Sequence, residues 1–256
     1  MTELEPLKDF TKILSEESGK IIKNYFRTDI SIESKKDESP VTIADKSAEE
    51  KMREMIMKEF PDHGIIGEEF GKHNPDAEYQ WILDPIDGTK SFITGALSFG
   101  TLIALTKNGQ PVLGVINHPV LNEFLIGDNE TAELNGQKIK VREIEKIEDA
   151  TLLATDHLMI GDYHDRSGFD ELTKKVRLYR NWGDCYGYYL VATGFADIMI
   201  DPVMNIWDLM ALIPVIRGAG GVITDYHGND PVKGESSVAA SKGLHSEVIK
   251  ILNGKS

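Results

Sequence analysis

The chain has 256 residues, enough for one large domain or two lobes packed as a unit around a substantial core. Hydrophobic residues make up 41% and charged residues 27%, the balance expected of an ordinary soluble globular protein. Against 42 acidic side chains stand 28 basic ones, and the formal net charge of −14 disfavours nucleic acid and anionic membranes as partners.

Cys185 is the single cysteine, which excludes an intrachain disulfide and a cysteine-based metal site. Uninterrupted apolar runs reach only about five residues, far short of a membrane span. The segment MTELEPLKDF reads as acidic and amphipathic, not as a signal peptide, so a cytoplasmic protein is expected.

Leu4, Leu7, Phe10, Leu14, Ile21, Ile22 and Tyr25 recur at helical spacing and predict an amphipathic helix over the first ~25 residues. Ile30 and Ile32 alternate as in a short strand. Thr42 followed by Asp45 predicts a capping box opening a helix, with Ala44, Ala48, Met52, Met55 and Ile56 as its buried stripe. Trp81-Ile82-Leu83 is a short apolar strand ending in Asp84. Strands follow around 99–106, 112–117 and 123–127, then a hairpin at Asn135-Gly136. From about 150 strands and helices alternate: strand TLLAT, helix 168–175, strand 177–180, helix 184–193, strand FADIMI, helix 207–217, strand GGVIT, helix 244–253. The pattern predicts an α/β class, with a mixed α+β first lobe over 1–145 and an α/β second lobe over 146–256 within one unit.

The sharpest chemical feature is the run from Trp81 to Thr89. A strand delivers Asp84, and Asp87, Gly88 and Thr89 follow. Two carboxylates in a tight turn, with the Ile86 carbonyl beside them, suit a hard cation. Gly88 permits close approach of the backbone, and a helix opening near Thr89 would present free N–H groups to a phosphate. Cation and anion sites would then coincide, as metal-assisted phosphoryl transfer requires. The competing reading is an Asp-rich surface turn. Glu68 and Glu69 end another short apolar stretch, and Asp208 opens a helix, where its charge would also suit the helix dipole. Asp201 ends a strand, the place where ligands bind in α/β sheets. No P-loop, paired-histidine zinc motif or G-x-S-x-G elbow is present.

Taken together, G-E-E (67–69), D-P-I-D-G-T (84–89), W-D (207–208) and S-P-V-T-x-A-D (39–45) resemble the inositol monophosphatase family over nearly the whole chain. The resemblance implies a layered αβαβα sandwich, usually dimeric, and a Mg2+-dependent phosphatase of a small phosphate monoester. It implies that Glu68, Asp84 and the Ile86 carbonyl hold one magnesium, and that Asp84, Asp87 and Asp208 hold a second. A third, weaker ion would lie near Glu68, and Mn2+ could substitute. Thr89 and Asp45 would orient the attacking water, with Glu68 also in the catalytic set, while Gly88 and Thr89 offer N–H groups to the phosphate. Lys35 matches a lysine that the family places before the S-P-V-T segment. Within the family, the stretches 84–95, 99–105, 183–188 and 191–194 resemble histidinol-phosphate phosphatases. Asp184 and Asp201 then fall on the leaving-group side, where a cationic alcohol would suit them. Arg217-Gly218 departs from the family, which usually has an acid there.

Three other readings stand beside this one. The first is another small-molecule phosphatase of the same family, acting on inositol 1-phosphate, fructose bisphosphate or phosphoadenosine phosphate. A haloacid-dehalogenase-type phosphatase fits less well, because its D-x-D-G-T motif differs from the D-x-x-D spacing here. A non-enzymatic interaction protein on this fold is opposed by the intact set Glu68, Asp84, Asp87 and Asp208.

Overall fold

The computed structural model describes residues 4–29, 32–34 and 40–254, so Lys35, expected at the substrate, lies outside the described residues. A small hairpin pairs β1 (Ile32–Ser34) with β2 (Pro40–Thr42). The first large sheet holds β3 (Gly64–Gly67), β4 (Gly71–His73), β5 (Tyr79–Asp87), β6 (Gly100–Lys107), β7 (Gln110–His118), β8 (Glu123–Gly127), β9 (Ala132–Leu134) and β10 (Gln137–Lys138). Its order is β10-β9-β8-β7-β6-β5-β3-β4, and every pair is antiparallel except β3 with β5. The second sheet holds β11 (Thr151–Ala154), β12 (Leu178–Arg180), β13 (Ile198–Asp201), β14 (Val222–Thr224) and β15 (Ser237–Ala240), in the order β12-β11-β13-β15-β14.

Strand alternation builds the layers. Trp81, Leu83, Ile103, Leu105, Leu113 and Val115 face α1 (Glu5–Tyr25) and α2 (Ile43–Glu59), meeting Leu14, Met52 and Ile56. The intervening residues Ile82, Leu102, Ala104 and Ile116 face the opposite way. They pack with α6 (Asp184–Ala192), α7 (Ile206–Leu209) and α8 (Leu212–Gly218). Leu153, Met199 and Ala239 of the second sheet close on that same middle layer. Their neighbours Leu152, Ile198, Ile200 and Val238 turn outward to α4 (Ile160–Tyr163), α5 (Arg166–Lys175) and α9 (Lys242–Leu252). The five layers are the αβαβα sandwich that the motifs implied. No helix among the described residues is long and apolar enough to cross a membrane.

Three local departures from the sequence reading have physical causes. The helix expected over 207–217 is two pieces, because Pro214 lacks an N–H and its ring clashes with the carbonyl four residues earlier, at Met210. The strand Ser237–Ala240 was not anticipated: small residues carry little strand signal, and burial between β13 and β14 makes the strand. That strand runs antiparallel to both neighbours, so the second sheet is mixed although β11 is parallel to β12 and β13.

α8 sits directly on the first sheet because Gly114 and Gly127 offer no side chain beneath it. A Cβ at Gly114 would overlap the Ala211 carbonyl, and one at Gly127 would lie 2.6 Å from the Pro214 oxygen. Gly114→Ala is expected to cost about 1–3 kcal/mol, the scale of overpacking a core. Thermal unfolding tests this, and a wild-type melting temperature would show that the helix has room to retreat.

Candidate active site

The pairing of β5 with β6 explains how two aspartates come to face one space. Asp84 pairs with Leu102 and Asp87 with Gly100, so three steps on β5 match two on β6. In a regular strand residues three apart face opposite sides, and the extra residue of this bulge returns Asp87 to the side of Asp84. The Thr101 hydroxyl donates to the Pro85 carbonyl at 2.9 Å and fastens the bulge. Beyond it Gly88 takes φ +83 and caps α3 (Thr89–Ile93). Glycine is needed there twice over, since a Cβ would also come within 2.9 Å of Asp184 Oδ2.

Asp208 arrives from α7. The Asn205 N–H donates to its Oδ2 at 2.8 Å, so it completes a capping box while facing the same space. Asp84, Asp87 and Asp208 each offer an oxygen, all within 4.8 Å of one another. At the start of α6 the Cys185 N–H donates to Asp87. Glu68 lines the same cleft, its N–H donating to the Leu83 carbonyl at 3.2 Å. The cleft measures about 780 Å³ and is also lined by Ile86, Gly88, Thr89, Lys90, Ser91, Ser98, Thr155, Asp156, Met159, Asn181, Asp184 and Trp207.

Burial pushes the Asp84 carboxyl well above the usual carboxylate range, and the charges of Glu68, Asp87 and Asp208 push it further. Burial does the same to Asp87, helped by Asp184 and Asp208. Asp208 rises to about 6, chiefly through burial, with Glu68 adding to it. Asp84 Oδ1 is buried without a hydrogen-bond partner. An orphaned carboxylate oxygen among like charges, with no cysteine or histidine in the cluster, fits a hard divalent cation bound through oxygen.

Each remaining expected residue has a definite place. Asp45 is buried, and its Oδ2 accepts the Thr42 N–H at 2.8 Å and the Thr42 hydroxyl at 2.6 Å. The Thr89 hydroxyl donates to the Ile86 carbonyl at 3.0 Å and is not bonded to Asp45. Asp184 opens α6 in the left-handed region, at φ +51, and its carboxylate lines the cleft, 3.4 Å from the Ser91 hydroxyl, instead of capping the helix. Burial raises it to about 6 against the pull of Ser91 and Lys90. Asp201 does not line the cleft. It is buried behind the wall, where the Tyr188 hydroxyl donates to its Oδ2 at 2.8 Å. Between these two acids stands Thr155, whose Oγ1 accepts the Asp184 N–H at 2.8 Å. Thr155 and Asp156 were missed, yet they follow the end of β11, and the strand-end rule applied to Asp201 points to them equally.

The raised carboxyls make stability depend on pH. Their folded-state values exceed the unfolded ones, so the native state holds more protons between about pH 4 and 7. Without divalent cation, the melting temperature should therefore fall as pH rises from 4 through the folded value of about 6 at Asp208. Saturating Mg2+ should remove most of the slope, because it binds the ionised form. A flat profile in EDTA would mean that the cluster is not crowded as described.

The family model described as the inositol monophosphatase family matches residues 3–255. A histidinol-phosphatase from Chlorobaculum parvum is 40% identical over 92% of this chain and 92% of its own length. A bifunctional phosphatase, IMPL2, chloroplastic, from Arabidopsis thaliana is 44% identical over 89% of this chain, which spans 66% of that protein. A fructose-1,6-bisphosphatase/inositol-1-monophosphatase from Aquifex aeolicus is 30% identical over 98% of this chain and 97% of its own. Among solved structures, an inositol monophosphatase from Zymomonas mobilis superposes with a TM-score of 0.89 at 34% identity, covering 99% of this chain and 100% of that one. The chain belongs to the inositol monophosphatase family, whose members are metal-dependent phosphatases of small phosphate monoesters.

Proposed function

We propose that this chain is a magnesium-dependent phosphatase whose substrate is the phosphate ester of a cationic alcohol, histidinol phosphate. One observation carries the reading: the cleft is lined by six carboxylates, Glu68, Asp84, Asp87, Asp156, Asp184 and Asp208, and by one lysine, Lys90. Two magnesium ions and a phosphate dianion would return two positive charges, leaving roughly three negative charges to be met. A neutral polyol leaves them unmet, whereas histidinol brings an ammonium and an imidazole. The likeness to the Chlorobaculum parvum histidinol-phosphatase supports the same substrate.

In this reading Glu68, Asp84, the Ile86 carbonyl, Asp87 and Asp208 hold the magnesium. When bound, the metal neutralises the phosphate and makes the attacking water more acidic. Gly88 and Thr89 offer backbone N–H groups to the phosphate. To orient water together with Asp45, the Thr89 hydroxyl would have to give up the Ile86 carbonyl to which it donates. Asp184 faces the cation of the leaving alcohol.

EDTA should abolish phosphate release, and Asp84→Asn should lower kcat by about 10²-fold or more, the scale of losing a preorganised electrostatic group. Full activity of either preparation in a phosphate-release assay overturns the metal assignment. Asp184→Asn should cost roughly 1.5–3 kcal/mol, about a ten- to hundredfold drop in kcat/KM for histidinol phosphate. Hydrolysis of p-nitrophenyl phosphate should change little. Equal losses on both substrates would assign Asp184 to the fold or the metal, and a wild-type preference for inositol 1-phosphate or fructose 1,6-bisphosphate would refute the substrate.

A further inference from the structure

Between α2 and the first sheet lies a carboxylate that the proposed chemistry does not use. Glu49 is fully buried. A carboxylate persists in an interior only when donors surround it, and here three do. Its Oε2 accepts the Glu69 N–H at 2.8 Å, and its Oε1 accepts the Phe70 N–H at 3.1 Å and Arg53 Nε at 2.7 Å. Arg53 reaches past it to donate to the Gly71 carbonyl. Gly67 leaves the room for this, because a Cβ there would overlap the Glu49 carboxylate. One turn of α2 thus clasps the chain from Gly67 to Gly71, which joins β3 to β4.

Glu68 is the first residue of that turn. Its own N–H is held by the Leu83 carbonyl, one residue before Asp84, and the next two N–H groups are held by Glu49. Three successive amides are therefore fixed, and the Glu68 side chain leaves a backbone with little freedom. Without Glu49, two of those N–H groups would lose their acceptor and the turn could relax.

We infer that Glu49 is a positioning residue: it orders the turn that presents Glu68 to the cleft, and so sets metal affinity without touching the ion. The inference rests on the reading that Glu68 serves a metal site. A purely structural Glu49 would alter stability and leave affinity alone, which separates the two roles.

The test is calorimetric titration of Mg2+ into wild type and Glu49→Gln, with melting temperatures in EDTA and magnesium activation curves. Replacing the carboxylate by an amide sets an NH2 against one of the backbone donors. The dissociation constant should rise about 10–100-fold, the scale for residues that orient ligands, while kcat at saturating Mg2+ recovers to near wild type. Arg53→Gln keeps the carboxylate and removes its cation, and should shift affinity the same way by less. Unchanged affinity in Glu49→Gln overturns the inference, whatever its melting temperature. Should that variant fail to fold, unchanged affinity in Arg53→Gln overturns it instead. A wild type that binds no Mg2+ refutes the metal reading itself, and the inference falls with it.

Discussion

Crowding of like charge in a buried cleft is the constraint on which the rest of this structure depends. Asp84, Asp87 and Asp208 place oxygens within 4.8 Å of one another, and Glu68 adds its charge to Asp84 and Asp208. Bringing ionised carboxylates that close in a dry site is unfavourable by several kcal/mol unless protons or a cation intervene. Folding must therefore supply the unfavourable energy, and the five-layer sandwich with its extensive buried core is large enough to do so. The same crowding suits the cluster to a cation, because a positive charge would relieve the repulsion built in by the fold.

Three of the expected carboxylates are each restrained by a backbone donor at a different helix start. Asp87 takes the Cys185 N–H at the start of α6, Asp208 the Asn205 N–H at the start of α7, and Asp45 the Thr42 N–H at the start of α2. Helix starts leave backbone N–H groups unpaired within the helix, so a nearby carboxylate satisfies them and is fixed by them. A residue such as Asp208 consequently has two roles at once. Its helix-capping role and its place in the cleft were competing readings of the sequence, yet the capping bond is what aims the side chain.

The sequence disclosed what is local. The capping box at Thr42 and Asp45 and the hairpin at Asn135-Gly136 each depend on a few consecutive residues and are found where the pattern put them, whereas the strand read as ending at Asp84 runs on through a bulge to Asp87. It was silent where tertiary packing decides. Ser237–Ala240 holds a single β-branched residue, Val238, too little to announce a strand, and helical spacing sets Glu49 at the edge of the Met52 and Ile56 stripe without disclosing that its carboxylate clasps the chain at Glu69 and Phe70. The left-handed conformation of Asp184 was equally hidden. It follows from the Thr155 hydroxyl holding its N–H and from Gly183 lying against Thr155, contacts between segments about 30 residues apart.

The two acids expected at the leaving group therefore stand at different depths. Asp184 stands on the cleft wall, and Asp201 stands behind it, reached through Thr155 and Tyr188. Burial lifts Asp201 to about 7 despite the Thr155 and Tyr188 hydroxyls, which favour its ionised form, and the Asp184 charge lifts it further. Such a group holds its proton more readily than an exposed carboxylate, and it stands away from the cleft lining. Its hydrogen bonds, however, hold Thr155 and Tyr188, and Tyr188 lies one turn below Asp184 on α6. Asp184 and Asp156 are thus the carboxylates of this wall that reach the cleft, and the backbone of Asp184 is held by the polar chain behind it.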